Sequence, residues 1–318
     1  MSPSPAPAAR LRIAHADDGA ALIRFEFGAA APEPLRVACA PLHGPGRVET
    51  WFAGGIRESA ETVGAAWAHG QHYALCAVSV EEQDGDIESA AATAYERLLT
   101  CVRPSEHPYL LRIWNYFAAI NEGEGDDERY RRFCVGRARA VDGMFNDPPP
   151  AATAIGTDGA PDRVQLIALC ASAPAQALEN PRQTPAWRYP REFGPVSPGF
   201  SRGALLDAES ESPRLLASGT ASIVGHVSQH AGDVGAQLRE SLANLDALLA
   251  EGQRKAGRAF PLSNCEALRV YLRRPGDLAI AREAIAASGL PQDRVLYLRG
   301  DVCRRELDVE IEGVFVAT

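Results

Sequence analysis

In the strand reading of residues 307–316, residues 307–312 alternate apolar and acidic side chains. Asp308, Glu310 and Glu312 fall on one face, Leu307, Val309 and Ile311 on the other. On a wet face three carboxylates are ordinary. In a cleft, desolvation and like-charge repulsion raise the pKa of at least one of them and make a general acid. Upstream, Gly300-Asp301-Val302-Cys303-Arg304-Arg305 carries a cysteine beside two arginines. Their charge favours a thiolate, yet no neighbouring histidine supports a nucleophile, and a lone buried cysteine is otherwise a small hydrophobe. Two further segments offer anion chemistry. In Arg129-Tyr130-Arg131-Arg132-Phe133-Cys134-Val135-Gly136-Arg137, helical spacing puts Tyr130, Cys134 and Arg137 on one face, which is either a solvated arginine face or a grip for a carboxylate. In residues 180–202, Arg182, Arg188, Arg191 and Arg202 interleave with Trp187, Tyr189 and Phe200, which suits either a clamp on a flat anion or a proline-pinned surface loop. His226 and His230 lie four apart in a loop reading with no carboxylate motif, so metal binding is not expected there.

Composition narrows the chemistry. Of 32 basic residues in 318, only Lys255 is lysine, in a segment that reads as a polar loop, so Schiff-base, phosphate-loop and kinase-type lysines are excluded and 31 arginines do the cationic work. A net charge of −9 argues against nucleic acid and anionic membranes as partners, and no apolar run is long enough to span a bilayer. Met1-Ser2-Pro3-Ser4-Pro5-Ala6-Pro7 reads as the start of a flexible tail over residues 1–20, not as a signal peptide. Seven scattered cysteines without a C-x-x-C pair read as thiols of a cytoplasmic protein.

The elements that must position these residues repeat in order. After several short strands in residues 21–82, the first half (21–173) reads strand, helix (87–101), strand (109–117), helix (128–145), strand, strand. The second half (214–318) reads strand (215–224), helix (233–251), strand (267–273), helix (278–288) and two closing strands. Asp233 is the expected N-cap of the long helix and Gly252 its C-terminal glycine. Between the halves, residues 174–213 form a Pro- and aromatic-rich connector, long enough to be functional.

Several of these residues carry a family resemblance. Leu216-Ala217-Ser218-Gly219, Gln237-Leu238, Asn244-Leu245, Val270-Tyr271-Leu272 and Val309-Glu310-Ile311-Glu312-Gly313 resemble the YjgF/RidA fold. Over about residues 50–318 the chain resembles the chorismatases, which embed that fold. The resemblance rests on Leu111-Arg112-Ile113-Trp114-Asn115-Tyr116-Phe117, Ile120-Asn121, Gly123-Glu124-Gly125, Glu128-Arg129-Tyr130 and Phe133-Cys134-Val135-Gly136-Arg137. Asn180-Pro181-Arg182-Gln183, Tyr189-Pro190-Arg191 and Gly300-Asp301-Val302-Cys303-Arg304 extend it. It is similar above all to the xanthomonad-type bifunctional members that make 3- and 4-hydroxybenzoate for pigment and quinone precursors.

The resemblance implies an α+β fold of two YjgF/RidA-like halves, each a mixed sheet with helices on one face. It implies cleavage of the enolpyruvyl ether of chorismate to pyruvate and a hydroxybenzoate or dihydrodiol, with no cofactor and no metal. Glu310 matches the proton donor, and Cys303 a site-shaping position that favours the aromatic product. Tyr130, Arg137, Arg182, Arg202 and Gly219 are the expected substrate-binding residues, and a monomer or a homotrimer is the expected assembly. Two other readings stand beside it. One is an enamine/imine deaminase using Arg294 or Arg299. The other is a non-catalytic small-acid-binding module, in which Glu310 is a wet strand residue.

Overall fold

A computed structural model describes residues 11–15, 21–28, 35–53, 58–62, 65–141 and 148–318. A six-stranded sheet holds Glu58–Thr62 (β6), Ala65–His69 (β7), Tyr73–Glu81 (β8), Tyr109–Ala118 (β9), Ala151–Thr157 (β10) and Arg163–Ala171 (β11), in the order β10-β9-β11-β8-β7-β6. A seven-stranded sheet holds Pro41–His43 (β4), Gln176–Leu178 (β12), Gly203–Leu206 (β13), Arg214–Ala221 (β14), Cys265–Leu272 (β17), Val295–Arg299 (β18) and Val309–Val316 (β19). Its order is β12-β13-β14-β19-β17-β18-β4. Arg12–Ala14 (β1), Ile23–Phe27 (β2), Arg36–Val37 (β3) and Val48–Phe52 (β5) form a third, four-stranded sheet, and Ile223–Val224 (β15) pairs with Val227–Ser228 (β16).

The repeated order foreseen from the sequence is a repeated topology. In the first half the hairpin β7–β8, helix α1 (Ile87–Val102), β9, helix α2 (Arg129–Ala140), β10 and β11 give the spatial order β7-β8-β11-β9-β10. In the second, β13–β14, α3 (Val234–Ala256), β17, α4 (Leu278–Ala287), β18 and β19 give β13-β14-β19-β17-β18. In each of the two large sheets a helix makes the crossover between a parallel pair, β9 with β10 and β17 with β18.

The sheets pack face to face. Trp114, Tyr116, Ile155 and Leu169 of the first share a core with Leu216, Tyr271, Leu298 and Val314 of the second. The outer face of the first carries α1 and α2 over a core of Tyr95, Leu98 and Phe133, and that of the second carries α3 and α4 over Leu238, Leu245, Val270 and Ile285. Strands buried on both faces read as near-continuous apolar runs, as β8 and β11 do. The expected α+β architecture, with helices on one face of each sheet, is therefore what the chain adopts.

Several details differ from expectation. Leu11 and Ile13, placed in a flexible tail, are buried, and β1 pairs with β5, while residues 1–10 and 16–20 of that tail lie outside the described residues. Helix α2 ends at Ala140 with Val141 extended, and residues 142–145 of the expected helix lie outside the described residues. Helix α3 has the expected Asp233 cap, accepting from Ala236 N at 2.9 Å, but it runs through Gly252 to Ala256. A Cβ on Gly252 would stand 2.4 Å from Leu215 Cδ1, so that glycine serves close helix–sheet packing, and Gly257, at φ +67°, ends the helix instead. Lys255 thus lies in the last helical turn, not in a loop, and donates to the Ala177 carbonyl at 2.9 Å. Within the connector, β12 and β13 join the second sheet, leaving residues 179–202 as its irregular part, with single turns at Ala186–Arg188 and Arg191–Phe193.

Candidate active site

The site forms where the edge strand β10 of the first sheet meets a bulge in β14 of the second. Between Ala217, opposite Gly313, and Thr220, opposite Ile311, β14 carries one residue more than β19. Such a bulge interrupts the ladder and turns backbone groups outward. Gly219 N donates to Thr153 Oγ1 at 2.8 Å and Ala152 N to Ser218 Oγ at 3.1 Å, tying the two strands across the junction. A cavity of about 320 Å3 opens there. Its walls are β10, the bulge, β19, α2 and the irregular connector, and Tyr130, Arg137, Arg202, Gly219, Cys303 and Glu310 all line it.

On β19, Val309 and Ile311 point into the core beneath α3 and α4, which sends Glu310 and Glu312 to the opposite face, between the sheets. Glu312 is saturated. It accepts from Thr153 Oγ1 at 2.6 Å, Arg269 Nη1 at 3.0 Å and Tyr271 OH at 2.7 Å, and it pairs with Arg112. The carboxyl of Glu310, a residue 5% exposed, has no hydrogen bond or ion pair among the described residues. Burial pushes its carboxyl up to about 8, the negative charge of Glu312 adds to that, and Arg112 and Arg202 oppose it. It is therefore protonated at neutral pH, beside a cavity. Asp308, grouped with these two by the alternation, instead pairs with Arg274 at 2.8 Å and has no place in the cavity wall.

The cationic side is built differently. Helix α2 sits deep because Gly136 meets the backbone of Glu88 in α1: a Cβ there would lie 2.0 Å from the Glu88 carbonyl oxygen. That depth buries Tyr130 and Arg137. Desolvation first, then the charges of Cys134 and Cys303, raise the Tyr130 phenol well above its ordinary value, so it stays a hydrogen-bond donor. Arg137 lies against Tyr95, whose hydroxyl donates to Asn115 Oδ1 at 2.7 Å, and its Nε is buried without a partner. Gly199 leaves it room, since a Cβ there would stand 2.5 Å from the guanidinium. Arg202 donates to Tyr189 OH at 2.7 Å and Thr184 O at 3.1 Å, stacks on Phe200 and Tyr189, and also keeps Nε unpartnered. Cys303 is half-buried at the wall. Burial and the Glu310 charge push its thiol up to about 12, so it is a neutral thiol and no nucleophile.

Arg182 is not brought to the cavity. Its guanidinium donates to Asn244 Oδ1 and to Glu240 Oε1 on α3, each at 2.6 Å, and Asn244 in turn donates to the carbonyls of Ala221 and Ile223 behind the wall. The connector docks on α3 through this residue, so its task is to hold the wall. Arg182→Met is expected to lower stability by about 1–2 kcal/mol in urea unfolding and leave KM within about twofold. A tenfold rise in KM would return Arg182 to ligand binding.

Sequence reasoning missed Thr153, the hub between Gly219, Arg112 and Glu312, and the pair Arg112 and Arg269. An arginine inside an apolar strand, as in Leu111-Arg112-Ile113, is the signal that was available, because a charge there must be paired. Arg304, read from the sequence only as a charge beside Cys303, stacks on Phe193 at 4.2 Å and donates to the His226 carbonyl and to Ser228 Oγ, fastening the connector over the cavity. Arg294 and Arg299, the candidates of the deaminase reading, do not line the cavity, and Arg299 pairs with Asp301 and Asp158.

Residues 49–170 match the family model "Chorismatase FkbO/Hyg5-like, N-terminal". A chorismatase of Streptomyces rapamycinicus is 37% identical over 273 residues, 84% of this chain and 81% of that protein. A 3-hydroxybenzoate synthase of Streptomyces hygroscopicus is 34% identical over 275 residues, 84% of this chain and 80% of that one. Among solved structures, a chorismatase crystal structure at 1.08 Å superposes with a TM-score of 0.84 at 33% identity, covering 96% of this chain and 97% of the other.

Proposed function

The chain belongs to the chorismatase family, and on that premise we propose that it converts chorismate to pyruvate and hydroxybenzoate, with Glu310 as the proton donor. The observation that carries the reading is a carboxyl kept protonated at neutral pH, unpaired, on the wall of a cavity that also holds two buried arginines with unpartnered Nε atoms.

A vinyl ether reacts with acid by protonation of its terminal carbon, so a carboxylic acid facing that carbon is the catalyst the substrate requires. Glu310 gives its proton to the methylene carbon, and an oxocarbenium ion forms next to the Glu310 carboxylate, which stabilises it. If water attacks, the resulting hemiketal collapses to pyruvate and the ring remains a diol; if the ring hydroxyl attacks, the resulting cyclic ketal breaks a ring C–O bond, pyruvate leaves with that oxygen, and loss of a ring proton makes the ring aromatic. Hydroxybenzoate and pyruvate together contain the atoms of chorismate, so the aromatic route consumes no net water. The two carboxylates of the substrate suit the two cavity arginines. Arg202, whose charge reaches Glu310, serves the enolpyruvyl end, and Arg137 with Tyr130 serves the ring carboxylate. Cys303, a neutral thiol beside Glu310, shapes the space around the ring and favours the aromatic product.

Purified protein given chorismate is expected to release pyruvate and 3-hydroxybenzoate, separated by reversed-phase chromatography. Pyruvate no higher than the spontaneous background overturns the reading. Cys303→Ala is expected to keep turnover and shift product several-fold toward the diol, and an unchanged ratio would remove Cys303 from that role.

A further inference from the structure

Glu310 does not stand alone on its face of β19, and its neighbour is held in a manner the proton transfer itself does not require. Residues two apart on a strand place their side chains about 6.6 Å apart on one face. Glu312 occupies that next position, 3% exposed, and faces away from the open cavity into the junction between the sheets. Four donors from three strands converge on it: Arg112 of β9, Thr153 of β10, Arg269 and Tyr271 of β17, and Arg269 is itself paired with Glu49 of β5. A carboxylate with two guanidiniums and two hydroxyls on it is locked as an anion in one orientation. Thr153 completes the link, for the oxygen that donates to Glu312 also accepts from Gly219 N, and Gly219 is the residue against which the Glu310 carboxyl lies.

We propose that Glu312 is a positioning residue for the acid step, its clamped negative charge keeping the Glu310 carboxyl protonated and so able to donate. The proposal rests on Glu310 being the proton donor. A buried carboxyl next to a carboxylate held by four donors does not ionise readily. The charged and titratable groups around Glu310 are Glu312 on its own strand, Arg112 from β9, Arg202 from the connector, Tyr130 from α2 and Cys303 from the preceding loop. Tyr130 and Cys303 are neutral, and the two arginines favour ionisation of Glu310. Besides burial, Glu312 is the one group of this set that opposes it.

The test is the pH profile of kcat/KM for chorismate, with folding of each variant checked by circular dichroism. An acid that acts protonated gives activity that is level at low pH and falls as pH rises through its pKa. In Glu312→Gln the lost like charge moves that falling limb to lower pH by roughly one pH unit, a loss of about fivefold at pH 8. Glu312→Asp keeps the charge and restores the limb toward its original position. Arg112→Gln removes a cation that acts on Glu310 directly and moves the limb the other way, and should Glu312→Gln not fold, Arg112→Gln with Glu312→Gln, which removes a charge pair together, is expected to place the limb below that of Arg112→Gln alone. A limb that stays put in Glu312→Gln, or in the double variant relative to Arg112→Gln, overturns the proposal. Glu310→Gln separates this from the underlying reading: if it retains turnover the acid assignment itself fails, whereas if it is inactive and the limb is unmoved by Glu312→Gln only the role of Glu312 fails.

Discussion

Glu310→Gln is expected to lose at least about a thousandfold in kcat and to gain stability at alkaline pH. The first effect follows from removing the proposed general acid, whose contribution is typically 10²–10⁴-fold, in a cavity whose other described carboxyls are exposed (Glu124, Glu192 and Glu306) or paired (Glu128 with Arg131). The second follows from linkage. A glutamate ordinarily ionises near 4.5, but in the folded protein Glu310 does so at about 8. Between those values the unfolded chain has released a proton that the folded chain still holds. Stability therefore falls as pH rises through that window, by about 1.4 kcal/mol per pH unit and several kcal/mol in all. Glutamine does not titrate and removes this slope. Urea unfolding from pH 5 to 8 is expected to show the wild type weakening relative to the variant. Parallel stability profiles, or retained turnover, would contradict the assignment. A destabilised residue at the reacting centre is the usual exchange of stability for activity.

Gly219→Ala is the second large effect. A Cβ at this position would lie 1.9 Å from Glu310 Oε1 and 2.9 Å from Thr153 Cγ2. The Glu310 carboxyl is the end of a flexible side chain, so the fold can accommodate the methyl by swinging it aside, at about 1–3 kcal/mol. Catalysis cannot, because an acid displaced by an ångström no longer meets the carbon it protonates. We expect kcat/KM to drop about a hundredfold with the circular dichroism spectrum unchanged. Activity within threefold of wild type would show that Gly219 does not set the position of the acid. The glycine itself came from resemblance to relatives. Its physical reason emerged only with the bulge, which brings the β14 backbone up against the side chain of a neighbouring strand.

The elements were legible because their periodicities are local. The 3.6-residue stripe Val234, Leu238, Leu242, Leu245, Leu249 and the alternation around Glu310 each need only neighbouring residues to be recognised, and the repeated order of elements became a repeated sheet topology. The failures were non-local. Gly252 has the signature of a helix end, but contact with Leu215 and Phe260 sets its role. Leu11 and Ile13 follow a Pro- and Ala-rich segment that reads as a tail, and they are held by β5, some forty residues away in sequence.

The same division runs through the site. The sequence by itself determined which chemistry was available: carboxylic acids and guanidiniums, scarcely any lysine, and an acidic strand face whose members differ from their apolar partners by one residue. It could not separate Glu310 from Asp308 and Glu312, or Arg137 and Arg202 from Arg182, because each set is one residue type in one kind of segment. The tertiary structure separated them by what it put around each. Arg274 and Arg273 took Asp308, two arginines took Glu312, and Glu240 and Asn244 took Arg182. Among the described residues, the Glu310 carboxyl was left buried with no partner and Arg137 and Arg202 with open donor positions, all on one cavity. The charge a group carries and the work it can do depend on its desolvation and its neighbours, and those are properties of the packed chain.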